Sequence, residues 1–97
     1  MIAKSHFQGK RLILAACDED LLGKKIEEDT FVLDLSSDFF NGTKLSDIEF
    51  LKLAKNAYMT NAVGKKVIEL LLENAYITKT SLRYVKKIPH TQILMEN

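Results

Sequence analysis

Apolar positions in this chain repeat at a period of two near both ends and at a helical period in between. Ile2 to Phe7 alternates loosely and predicts a strand. Gln8-Gly9-Lys10 predicts a turn, because Gly9 can supply the positive φ that hairpins need. That turn would set Phe7 opposite Arg11 and His6 opposite Leu12. Arg11 to Cys17 is apolar on both faces, the pattern of a central strand covered on both sides. Asp18 to Leu22 predicts one helical turn closed by Gly23. Thr30 to Leu35 predicts a third strand with Phe31, Leu33 and Leu35 on one face. Ser36 to Phe40 predicts a short helical turn stopped by Asn41-Gly42.

The helical period begins at Ser46, where Ser46-Asp47-Ile48-Glu49 has the form of a capping box. Ile48, Leu51, Ala54 and Tyr58 then share one helix face. A second helix is expected to start at Thr60 or Asn61, both residue types suited to an N-cap. Val63, Val67, Leu70 and Leu71 would form its apolar side, ending near Asn74. Ser81 to Ile88 predicts a fourth strand, with Leu82, Tyr84 and Ile88 on one face and Arg83, Val85 and Lys87 on the other. Pro89 is expected to break the pairing before a short last strand, Thr91 to Met95. The order β-β-β-α-α-β-β implies an α+β fold, a mostly antiparallel sheet with both helices on one face.

Ninety-seven residues make a single domain, residues 1–97. No apolar run is long enough to span a membrane, and Met1 to His6 lacks the apolar core of a signal peptide. Cys17 is the only cysteine, so it has no disulfide partner within the chain, and a reducing cytoplasm is the expected location. Net charge is +1, but residues 18–50 carry ten acids against three lysines. Lys79 to Met95 contains no acid while Lys79, Arg83, Lys86 and Lys87 fall within it. A fold that kept these segments apart would be electrically two-sided and could orient a charged partner, although solvated faces can segregate with no such role.

Three clusters set a glycine or proline beside polar residues at the edge of an apolar segment. They are Cys17-Asp18-Glu19-Asp20-Leu21-Leu22-Gly23-Lys24, Asn61-Ala62-Val63-Gly64-Lys65-Lys66 and Ile88-Pro89-His90-Thr91-Gln92. In the first, three acids beside the thiol oppose ionisation, and His6 would lie roughly 16 Å from Cys17 along the strands. A buried small residue is the plainer account of Cys17, and a helix start that welcomes acids is the plainer account of Asp18 to Asp20. In the second, a helix start at Asn61 would offer free amides, Gly64 would let an anion approach, and Lys65 and Lys66 would add charge. Close packing at Gly64 is the plainer alternative. In the third, Pro89 pre-sets the backbone ahead of His90 and Gln92, which suits hydrogen-bonding a ligand or, more simply, satisfying a turn. No metal-ligand spacing and no cofactor motif is present. Arg83 and Lys87 on one strand face could follow phosphates, but no aromatic pair of an RNA-recognition sheet accompanies them.

The order and spacing of these three clusters resemble a family of short archaeal single-domain proteins known as domain of unknown function number 424. The resemblance spans the first strand to the last; where this chain has Thr91, the family often has alanine. It implies an archaeal cytoplasmic protein and no activity, cofactor or catalytic residue.

The residues themselves favour a non-enzymatic binding module for an anionic partner: RNA phosphate within the translation or RNA-processing machinery, or an acidic protein surface. Asn61, Gly64, Lys65 and Lys66 would form the pocket, with His90 and Gln92 as hydrogen-bonding neighbours. The alternative is a small hydrolase or transferase in which His90 is the base, Cys17 or Asp18 its partner, and the Asn61–Gly64 amides stabilise an oxyanion. For assembly, the second face of the central strand needs a cover. Either the Phe39-Phe40 loop provides it in a monomer, or a second copy does in a weak homodimer.

Overall fold

In a computed structural model, residues 1–95 are described. A six-stranded mixed sheet carries two helices on one face and a separate two-stranded hairpin over part of the other. The strands are β1 (Ile2–Gln8), β2 (Arg11–Cys17), β3 (Lys25–Glu28), β4 (Phe31–Asp34), β5 (Thr43–Lys44), β6 (Met59–Val63), β7 (Arg83–Val85) and β8 (Ile88–Leu94). The helices are α1 (Asp47–Asn56) and α2 (Lys65–Glu73). The order in the large sheet is β5-β1-β2-β6-β8-β7, and β3 and β4 form a separate two-stranded sheet.

The first hairpin forms as the pattern predicts but one step further along. Gln8 lies opposite Arg11, Phe7 opposite Leu12 and His6 opposite Ile13. Gly9, with φ of 63°, and Lys10 form a two-residue turn, and two-residue turns fit the twist of paired strands best. Leu14, Ala15, Ala16 and Cys17 are all fully buried. The even positions of β2 meet Phe50, Ala54, Val67 and Leu71 on the helix side. Cys17 meets Ile2, Leu21, Ile26, Leu35 and Val63 on the other. Asp18 to Leu22 does form a single 3-10 turn, Glu19–Leu21, ahead of Gly23 at φ of 87°.

The largest departure concerns residues 59–63. Thr60 and Asn61 do not start a helix; they lie inside β6, which pairs parallel with β2 and antiparallel with β8. Their short polar side chains suit an N-cap, but two flanking strands offer every backbone group in the segment a partner, and that outweighs local preference. The parallel β2–β6 pair makes the sheet mixed, while its other pairings are antiparallel, so it is mostly antiparallel as expected. The element order differs, because β6 separates the two helices expected to be consecutive.

Other departures are local. β3 carries only one buried residue, Ile26, and β5 is two residues long, so neither leaves a readable alternation. The expected fourth strand is a hairpin instead: Val85 pairs with Ile88 across a Lys86-Lys87 turn. Pro89 continues β8, opposite Tyr84. Its carbonyl accepts the Gly64 amide at 2.9 Å on the side where β6 ends, where a missing N–H costs the ladder little. Tyr84, expected to share a face with Leu82, is exposed while Leu82 is buried. Ser36 to Phe40 is a plain turn. The capping box of α1 is present, with Ser46 and Glu49 each accepting the other's backbone amide. Helix α1 is rotated from its expected face: Phe50 is fully buried while Ile48 is exposed. No described helix is long and apolar enough to cross a membrane.

Candidate functional site

The three sequence clusters meet at one end of the sheet. Cys17 pairs with Val63 and Val63 with His90, so the three chain segments lie side by side. Asp18 follows directly. Its amide donates to the Val63 carbonyl at 3.1 Å, and its carboxylate crosses to the start of α2. There one oxygen accepts the Lys66 amide at 3.1 Å and the other accepts the Val67 amide at 3.0 Å. Gly64 precedes α2 with φ of 117° and has no side chain to cap it. A Cβ at Gly64 would overlap the Asp18 carboxylate. Asp18 therefore caps a helix that begins 47 residues later, and Gly64 makes room for it.

This clasp corrects the expected anion pocket. The helix start is real, but its amides at Lys66 and Val67 already hold the chain's own carboxylate. Gly64 is the cradle of that carboxylate rather than an entrance for a ligand. The Lys65 and Lys66 side chains are exposed beyond it, and Lys66 borders a cleft with Asp18, Glu19, Asp20, Glu69 and Glu73. That surround disfavours an external anion.

The remaining expected residues do come together. Asn61 pairs with Gln92 across β6 and β8, and His90 pairs with Arg83 across β8 and β7. These four side chains border a cleft of about 460 Å³ on the face away from the helices. Val63 belongs to the same cleft, and Leu33 of the β3–β4 hairpin and Phe40 of the following loop wall it. His90 is half-buried, and its imidazole is held below its ordinary value of 6.5, first by burial and then by the Arg83 charge. Gln92 donates to the Met59 sulfur at 3.0 Å. Thr91 points away and donates to the Ser81 carbonyl at 3.0 Å. Among the described residues, the cleft lining contains no carboxylate. Guanidinium, imidazole and two amides therefore face one apolar-walled space, a donor set for an anionic or strongly accepting group.

Sequence patterns alone do not join Arg83, Leu33 and Phe40 to this site. Arg83 is visible as a strand cation, but its neighbour His90 appears only once the Lys86-Lys87 turn folds β7 back on β8. The hairpin that carries Leu33 leaves almost no pattern.

The same geometry does not assemble a nucleophile. Cys17 is fully buried, and its thiol is pushed up to about 11, chiefly by burial and then by Asp18. Val63 stands between Cys17 and His90, which are two strand spacings, about 10 Å, apart. Asp18 is committed to α2. His6 stacks on Phe39 at 4.6 Å between ring centroids, and its Nε2 lies 2.8 Å from the Phe39 carbonyl. That pairing fixes the covering loop on the sheet.

A family model described as protein of unknown function (DUF424) matches residues 6–95. The chain is also similar to a solved structure, the crystal structure of an uncharacterized conserved protein from Methanopyrus kandleri. The two share 23% identity with a TM-score of 0.80, over 99% of this chain and 93% of that one. That likeness shows the fold. No curated protein matches the chain.

Proposed function

The chain belongs to the DUF424 family, whose description assigns no activity, and we propose that it is a non-enzymatic binding module whose Asn61–Arg83–His90–Gln92 cleft takes a phosphate group of RNA. The observation that carries this reading is the cross-strand convergence of Arg83 and His90 in a cleft whose described lining holds no acid. A guanidinium offers fixed, paired donors to a phosphate, and the amides of Asn61 and Gln92 can bond a ribose or base edge beside it. Cys17, the one thiol among the described residues, is fully buried with its pKa pushed up to about 11 and lies two strands from His90, which favours binding over turnover.

Fluorescence anisotropy with a labelled single-stranded RNA tetranucleotide tests the assignment. Arg83→Ala is expected to weaken binding roughly tenfold, the loss typical of a charged hydrogen bond. A Lys65→Ala, Lys66→Ala double variant is expected to change it less than about twofold, because screened charges outside the site contribute little. The reverse ranking would return the site to the start of α2 and contradict the reading.

A further inference from the structure

A second cationic cleft lies at the opposite end of the same strands. Arg11 opens β2, and Tyr58 precedes β6 with its amide donating to the Leu12 carbonyl at 2.8 Å. Met95 follows β8, and its amide donates to the Tyr58 carbonyl at 2.8 Å. These bonds fix Tyr58 between two strand ends. The Arg11 guanidinium lies 4.1 Å from the centre of the Tyr58 ring. Arg11 is exposed and Tyr58 half-buried, so the guanidinium forms the outer layer of the stack. Lys10 and Lys55 border the same cleft of about 680 Å³, and its described lining residues include no acid. Lys55 also sits in the last turn of α1, where a cation offsets the helix dipole. That accounts for Lys55 alone and not for the Arg11–Tyr58 stack.

We infer that this cleft is a second contact for single-stranded RNA, with the Arg11–Tyr58 stack receiving a base and Lys10 and Lys55 a neighbouring phosphate. The inference rests on the reading that the Arg83 cleft takes RNA phosphate. A planar cation over a ring presents a flat charged surface, the form that stacks on nucleobases of any sequence. From His90 to Met95 the strand advances about 17 Å, so one dinucleotide cannot fill both clefts while a longer strand can. Occupying both on one strand makes the second binding event intramolecular and raises affinity with length.

The test uses the full chain with labelled single-stranded RNA of two and of eight nucleotides. The octamer is expected to bind at least about tenfold more tightly than the dinucleotide. Arg11→Ala is expected to weaken octamer binding about tenfold and leave dinucleotide binding unchanged. It should also flatten the salt dependence of log K by about 0.7 for each phosphate the variant no longer neutralises. Arg11→Lys keeps the charge, and is expected to retain the salt slope while losing part of the octamer affinity. If Arg83→Ala weakens both probes while Arg11→Ala and Arg11→Lys leave the octamer unchanged, the second cleft is overturned as an RNA site and the first stands. If Arg11→Ala weakens the octamer while Arg83→Ala weakens neither probe, the second cleft stands and the proposed function falls. Absence of binding to both probes overturns both.

Discussion

At the scale of single residues, the informative pair is Asp18 and Gly64. Each carries both a site reading and a plainer structural reading in the sequence, and the plainer one describes the contact: Gly64 allows a close approach and Asp18 meets a helix start. The contact that explains both spans 46 residues of sequence, and no local pattern encodes it. Gly64→Ala is expected to lower unfolding free energy by about 3 kcal/mol, combining a side chain at positive φ with the clash on Asp18. Asp18→Asn should cost about 1–2 kcal/mol, since one amide acceptor remains. In the double variant Asp18→Ala, Gly64→Ala the losses should fall short of additive, because removing the carboxylate removes the clash. Urea unfolding measures all of these, and strict additivity would show that the two residues do not touch. His90 supplies a pH signature. Its folded-state value lies below 6.5, so the folded protein binds fewer protons than the unfolded chain in that range. The stability linked to it is therefore complete above about pH 6.5 and is lost as pH falls through the folded value. Arg83 is the charged group facing it in the described cleft; Asn61 and Gln92 are neutral. RNA affinity should run the other way and rise as pH falls, because imidazolium attracts phosphate. His90→Gln should flatten both profiles; an unchanged binding profile would remove His90 from the site.

At the scale of elements, strong periodicity is legible in the sequence and pairing is not. β1, β2, the turn after Asp18 and the capping box of α1 all announce themselves through spacing and residue type. β6 does not, because a buried strand of five residues with Thr and Asn resembles a helix start until its neighbours are known. The β7–β8 hairpin is hidden by its turn, where Lys86 and Lys87 both adopt positive φ, 47° and 65°. That conformation usually selects Asn-Gly, and lysine gives no warning of it. Replacing Lys86-Lys87 with Asn-Gly is expected to raise unfolding free energy by about 1 kcal/mol through relief of that strain. An unchanged or lower midpoint in thermal unfolding would show that the lysines are not strained there. Because the hairpin sets Arg83 beside His90, the variant should keep RNA affinity apart from a modest drop in long-range attraction.

At the scale of the whole molecule, the sheet has two covered faces and two charged ends. The cover of the second face is half legible in the sequence. The Phe39-Phe40 loop lies on it as expected, with both rings partly buried, but the β3–β4 hairpin that shares the task leaves too little alternation to be foreseen. With that face occupied, we propose a monomer, and sedimentation velocity at micromolar concentration should return a single species of one chain mass. A dimer there would mean that the loop and hairpin move aside. Charge gathers at both ends of the fold, though not by the segments of the sequence. Glu19, Asp20, Glu69 and Glu73 border one cleft beyond the end of β2, and Lys10, Arg11 and Lys55 border another at its start, while Glu28 of the acidic segment accepts the Lys86 amide of the basic one. Cys17 lies near the acidic end, yet burial shields it, so a thiol reagent at pH 8 should label it only on unfolding. The central claim is that the ligand enters the cleft between β6, β8 and β7 and not the closed start of α2. The most direct measurement is a titration of isotope-labelled protein with single-stranded RNA, followed by amide and side-chain chemical shifts. The account predicts the largest shifts at Asn61, Arg83, His90 and Gln92, with Gly64 to Val67 unmoved; shifts centred on Gly64 to Val67, or none at the cleft, would contradict it.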